Sequence, residues 1–227
     1  MHRALRTLVR SILEAAANSQ VAASAGLALM RKPENTPDRT TYVLYAPAVI
    51  EQMLTSGNID AADIAKGIFA FMSIKTHQGE CWNAGEVKLS AAQKGYGPLM
   101  YGYVMNDYAG GLFPDRGSVS QAARGVWQKF NQRADTKKSK FDDKKNPKTP
   151  DPGDDCNLAT GTSVDGDEAY LNQAYDAPGD AGGRSTLMAN HNKFLAAMAQ
   201  KKFNKSVVET MIENLGDQYF ADRYTNG

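Results

Sequence analysis

The chain has 227 residues, 42% hydrophobic and 22% charged, with 26 basic and 25 acidic side chains and a formal net charge of +1. That balance argues against a dedicated nucleic-acid-binding protein, whose contact face ordinarily unbalances the total. No apolar run reaches the roughly 20 residues that a membrane-spanning helix needs, so the composition fits one soluble globular domain with extensions.

Met1 to Ala17 carries Leu5, Leu8, Val9, Ile12 and Leu13 at helical spacing, with Arg3, Arg6 and Arg10 on the other side. It reads as an amphipathic helix, packed on the domain or a partner, or else serving in targeting or surface attachment. Arg6 and Arg10 interrupt any apolar core of a secretory signal. Asn18 to Arg39 is small and polar with Pro33 and Pro37, and reads as a loop.

Thr40 to Ala46 is rich in β-branched and aromatic residues and reads as a strand. Ala48 to Leu54 is a short helix ended by Ser56 and Gly57, and Ile59 to Ala65 fits either helix or coil. Gly67 to Lys75 is apolar at both parities, the pattern of a strand covered on both faces. Trp82 to Ser90 completes a hairpin with it.

A glycine-bearing loop, Ala91 to Gly97, precedes a helix from Pro98 to about Tyr108, with Leu99, Tyr103 and Val104 toward the sheet. Leu112 and Phe113 make a short apolar run, and Ser118 or Ser120 caps a helix through Trp127 and Phe130. From Asn131 the chain turns lysine-rich and then Asp-, Pro- and Gly-rich, and it reads as an irregular arm. Ser185 to Lys202 and Ser206 to about Tyr224 are helices, the second opened by a capping box of Ser206 and Glu209.

The divisions are therefore an N-terminal helix and loop (1–39), a core (40–131), an irregular arm (132–184) and two C-terminal helices (185–227). The order of elements predicts an α/β protein built on a mixed sheet covered by helices.

The hairpin ending in GEVKLS, the loop KGYGPLMYGYVM and the stretch GLFPDRGSVSQAARGVWQKF together resemble the central block of the GNAT (N-acetyltransferase) superfamily. The similarity extends to divergent members encoded by bacteriophages, and the wider pattern, TPDPGDDC included, is similar to phage-encoded proteins. It implies a GNAT-like core with acetyl-CoA as the acyl donor and an amine as acceptor. The resemblance puts the donor beside the strand ending at Leu89 and Ser90, and its diphosphate at Gln93, Lys94, Gly95, Tyr96 and Gly97. The physical basis is general: a glycine turn lets backbone approach closely, and unpaired N–H groups opening a helix attract anions.

Acyl transfer to an amine needs a base for the amine and a proton donor for the departing thiolate. Glu86, on the strand before the loop, is the candidate base, and Tyr101 the candidate acid, with Tyr96 and Tyr103 as alternatives. Two features depart from the family pattern. Ala92 stands where that loop usually carries Arg or Gln, and Pro98 removes a donor.

Elsewhere the chemistry is sparse. Cys81, Cys156, His2, His77 and His191 have no metal-ligand spacing, and the cysteines read as idle thiols, with a disulfide as the alternative. Asp165, Asp167 and Glu168 lack the twelve-residue calcium-loop spacing. Asp115 with Arg116 reads as a local ion pair or Asx-turn, and the lysines of 137–148 read as a solvated tail.

Two functions follow. One is an acetyl-CoA-dependent N-acetyltransferase in the cytoplasm of a bacterial host. The other is a non-catalytic structural or interaction protein of a phage virion, built on the same scaffold, contacting virion proteins or forming an oligomer. Ala92, Pro98 and the appended arm and helices favour the second.

Overall fold

A computed structural model describes residues 19–34, 38–57, 59–76, 84–115, 119–140, 171, 173–178 and 181–225. Its centre is a seven-stranded sheet in the order β1-β2-β3-β4-β5-β7-β6. The strands are β1 (Ala28–Pro33), β2 (Arg39–Tyr45), β3 (Ile68–Thr76), β4 (Gly85–Ala92), β5 (Leu112–Pro114), β6 (Lys137–Lys140) and β7 (Gln173–Asp176). Every neighbouring pair is antiparallel except β4 and β5, which run parallel.

The expected mixed α/β architecture is present, and the central strands are buried on both faces. Side chains alternate along β2: Tyr42 and Leu44 enter one core, Val43 and Tyr45 the other. The first core is closed by α1 (Ser19–Ser24), α4 (Gly97–Met105) and α5 (Gln121–Gln132), which contribute Ala22, Met100, Val104, Trp127 and Phe130. The second is closed by α2 (Pro47–Ser56), α3 (Ala61–Gly67) and α7 (Lys205–Thr225), through Ile50, Ile64, Val208, Ile212 and Leu215.

The helix α6 (Ala181–Gln200) serves both cores, with Leu187 in the first and Phe194, Leu195 and Met198 in the second. Between them Asn190 donates to the carbonyl of Leu27 at 2.8 Å, beside the start of the edge strand β1. An exposed edge is a template for unwanted pairing, and α6 packs along this one. Asp107 anchors the same helix. Its carboxylate accepts from Tyr42 on β2 at 2.8 Å and pairs with Arg31 on β1 at 3.1 Å and with Arg184 on α6.

Several expectations need correction. The segment 18–39 is not a loop. It contains α1 and β1, and β1 was hidden because its apolar run is only ALM, buried on both faces, before Arg31, Lys32 and Pro33 follow. Within the supposed arm, 132–184, β6 and β7 pair antiparallel and complete the sheet. Their signal was weak because KKSK is polar throughout, yet lysine suits an edge strand whose outer side meets water.

Within the ambiguous 59–65 the helix α3 begins at Ala61, capped by Asp60, whose carboxylate accepts from the Asp63 N–H at 2.7 Å. The cap of α7 is Asn204, whose side chain accepts from the Ser206 N–H at 2.9 Å, in place of the box read at Ser206 and Glu209. As read, Ser120 caps α5, accepting from the Ala123 N–H at 3.2 Å. The amphipathic segment Met1 to Ala17, both cysteines and the acidic group at 165–168 lie outside the described residues. No helix among the described residues is long and apolar enough to cross a membrane.

One glycine decides how β7 docks. Gly111 has φ of +78°, and a Cβ there would come within 2.3 Å of the Tyr175 carbonyl oxygen. Both the backbone angle and the close approach exclude a side chain. Gly111→Ala is expected to cost about 2–3 kcal/mol, a fall in Tm of roughly 5–10 °C measured by thermal unfolding. An unchanged Tm would mean that β7 does not seat on β5 as described.

Candidate functional site

The parallel pair β4–β5 is short. Gly85, Glu86 and Val87 face Leu112, Phe113 and Pro114, and there β5 stops, because Pro114 has no N–H to extend the ladder. Meanwhile β4 runs on to Ala92 with β3 as its only neighbouring strand among the described residues. A cleft of about 620 Å³ opens beside this unpaired stretch, within the range of small-molecule sites. Its walls come from the end of β4, the loop 93–97, the N-terminal turns of α4 and α5, and Phe220 and Arg223 of α7.

The loop is held from behind. The Gln93 N–H donates to Phe69 at 2.8 Å, and its side-chain amide donates to the carbonyls of Ala65 and Ile68 at 2.7 and 2.8 Å. Tyr96 packs edge-on against Phe69, ring centres 5.0 Å apart. Gly95 takes φ of +92°, a left-handed angle that glycine alone adopts without strain. Tyr96 N–H turns back to the Gln93 carbonyl, while the N–H groups of Lys94, Gly95, Gly97 and Leu99 have no backbone acceptor among the described residues. Above Gly97 the space is open, for a Cβ there would meet only Ala92 Cβ, at 3.9 Å.

A bulge in β4 sorts the candidate residues. Ser73 of β3 faces Leu89 and Ile74 faces Val87, so Lys88 is the extra residue. An extra residue reverses which side chains point to which face beyond it. Val87 therefore shares the first core with Ala92, while Leu89 and Ala91 pack on the second. Glu86 lies on the face of its neighbour Phe113, opposite to Ser90.

The structure thus brings Ser90, Gln93, Gly95, Gly97 and Tyr101 to the cleft wall. Lys94 is exposed and Tyr96 packs behind the loop. Leu89 and Glu86 are turned away. Glu86 is 5% exposed and bonded to Lys88 at 3.2 Å, and Lys88 also reaches Asp115 at 2.9 Å. Burial works against the Lys88 charge, but its bonds to Asp115 and Glu86 outweigh that and raise its pKa above the ordinary value. These three residues form an ionic cluster.

Tyr101 is the buried polar group of the cleft wall. Its hydroxyl shares a 3.1 Å hydrogen bond with Ser90, and its ring meets Trp127 edge-on at 5.0 Å. Burial pushes its pKa up to about 12, the Ser90 bond working in the opposite direction. It stays protonated at neutral pH.

Sequence reading did not reach Phe220 or Arg223. Arg223 donates from Nη1 to the Ala92 carbonyl at 3.1 Å, across 131 positions of chain, and its guanidinium lies 4.9 Å from the Tyr219 ring centre. Only the one-turn spacing of Phe220 and Arg223 on the last helix could have marked them as neighbours.

What fold and cleft define is a mixed α/β domain with a ligand-sized opening at the centre of its sheet. Comparison with family models, curated proteins and solved structures found no match to this chain.

The ionic cluster makes a checkable demand. Lys88→Met removes the ammonium that Glu86 and Asp115 share and should cost about 2 kcal/mol near pH 8, read by urea unfolding. Stranded carboxylates in the folded state titrate above their unfolded value, so the penalty should shrink as pH falls toward 4.5 and they take up protons. A loss that did not change with pH would show that charge is not what Lys88 contributes.

Proposed function

We propose that the cleft binds an acyl-CoA and that the protein is an acetyl-CoA-dependent N-acetyltransferase of GNAT-like architecture. The observation that carries this reading is the end of β4. An unpaired strand edge, an open glycine loop with free N–H groups and two helix N-terminal turns all line one cleft.

The residues present fit such a donor. Backbone N–H groups of Lys94, Gly95, Gly97 and Leu99 suit a diphosphate, and the open space over Gly97 lets it approach. The strand edge from Leu89 to Ala92 suits an extended arm bearing amides, which can pair with backbone as an added strand would. The apolar wall of Met72, Met100 and Val126 excludes water beside it.

When bound, the donor supplies an acyl group activated as a thioester. Tyr101, protonated at neutral pH, is the hydrogen-bond donor at the cleft wall, and Ser90 holds its hydroxyl in place. With a pKa near 12, Tyr101 stabilises negative charge on a departing sulfur chiefly by donating that bond, since full proton transfer to a thiolate of ordinary basicity is uphill.

One observation favours a second reading. None of the described residues lining the cleft is a carboxylate or an imidazole, and Glu86 is held on the other face by Lys88. A scaffold that binds without catalysing, such as an interaction protein of a virion, needs no base.

Isothermal titration with acetyl-CoA tests the site. Micromolar or tighter binding, abolished by Gly97→Trp, is expected. No heat at high micromolar ligand would sink the acyl-CoA reading and leave the virion protein. If acetyl-CoA binds, thiol release with a panel of small amines separates the two readings. Turnover reduced about 100-fold by Tyr101→Phe supports the transferase. Binding without turnover supports the scaffold.

A further inference from the structure

Resting on the acyl-CoA reading, we infer that Arg223 of α7 is an anion-binding residue of the cleft and takes a diphosphate oxygen of the acyl donor. A glycine loop presents N–H groups but only fractional charge, and a diphosphate bound there is more stable beside a full cation. The loop's own side chains do not supply one. Lys94 is exposed and does not line the cleft, Gln93 spends its amide on Ala65 and Ile68, and Ala92 carries no polar atom in its side chain.

Arg223 is the cation among the described residues that line the cleft. It arrives from the face of the sheet opposite to α4, and its Nη1 donates to the carbonyl of Ala92 at 3.1 Å. Ala92 is also the nearest residue to the open space over Gly97, at 3.9 Å from where a Cβ would lie. The guanidinium is thus fixed at the residue that opens the loop, near the free N–H groups.

Its fork is not exhausted by that bond. A guanidinium carries five N–H donors, and no carboxylate among the described residues forms an ion pair with Arg223. The Tyr219 ring, 4.9 Å from the guanidinium carbon, holds its plane. A planar donor with a fixed plane and unused N–H groups suits two phosphate oxygens better than a flexible ammonium does. The consequence is a clamp: loop on one side of the diphosphate, last helix on the other.

The test compares acetyl-CoA with S-acetylpantetheine, which keeps the acyl arm and lacks phosphate. Titration calorimetry reads the first, and ligand-observed NMR the weaker second. Arg223→Gln should weaken acetyl-CoA about tenfold, the scale of one charge-assisted hydrogen bond, and leave S-acetylpantetheine unchanged. Arg223→Lys should recover part of the loss. Equal acetyl-CoA affinity in Arg223→Gln overturns the inference while the acyl-CoA reading stands. An equal loss for both compounds also overturns it, assigning Arg223 to holding α7 against β4. A wild-type protein that binds neither compound removes the acyl-CoA reading itself, and the inference with it.

Discussion

Two parallel strands of unequal length set most of this molecule's organisation. β5 ends at Pro114, while β4 continues to Ala92 with its outer edge unpaired in the middle of the sheet. Backbone polar groups left there need partners, and a domain interior offers few. The surrounding elements answer by leaving the edge open to a cleft instead of sealing it. The helices α4 and α5 stand on one side and α7 on the other, and among the described residues no further strand fills the gap.

The same stretch carries the bulge at Lys88, and the two features act together. Without the extra residue Glu86 and Ser90 would share a face, and a buried carboxylate would stand beside Tyr101. With it the polar chemistry divides. Lys88 pairs with both Glu86 and Asp115, while Ser90 and Tyr101 form an uncharged pair at the cleft wall. Keeping a full charge out of that wall preserves a low-polarity channel for an uncharged arm, with polarity concentrated at the loop.

Much of the fold could be read from the chain because its central elements obey strong local rules. TTYVLYA is rich in β-branched and aromatic residues, and GIFAFMSIK is apolar at both parities, the pattern of a strand covered on both faces. The glycine pair around Tyr96 and the Ser120 cap announce themselves by residue type. What stayed hidden depends on partners. The strand KKSK forms only because β7 offers it hydrogen bonds, and the Lys88 bulge exists only relative to β3. Arg223 reaches Ala92 through the packing of α7 on the sheet, and no pattern local to either segment encodes that meeting.

The pairing of β6 with β7 has a further consequence for the chain that joins them. Lys140 and Gln173 stand opposite each other in the ladder, so the intervening chain departs from and returns to the same rung. Closing such an excursion costs entropy that grows only with the logarithm of its length, about 0.6 kcal/mol for each doubling. The ends of the excursion are thus held together by the ladder itself, and added length between them costs little closure entropy. The cleft is built from β4, the loop after it, α4, α5 and α7, all of which lie outside that excursion.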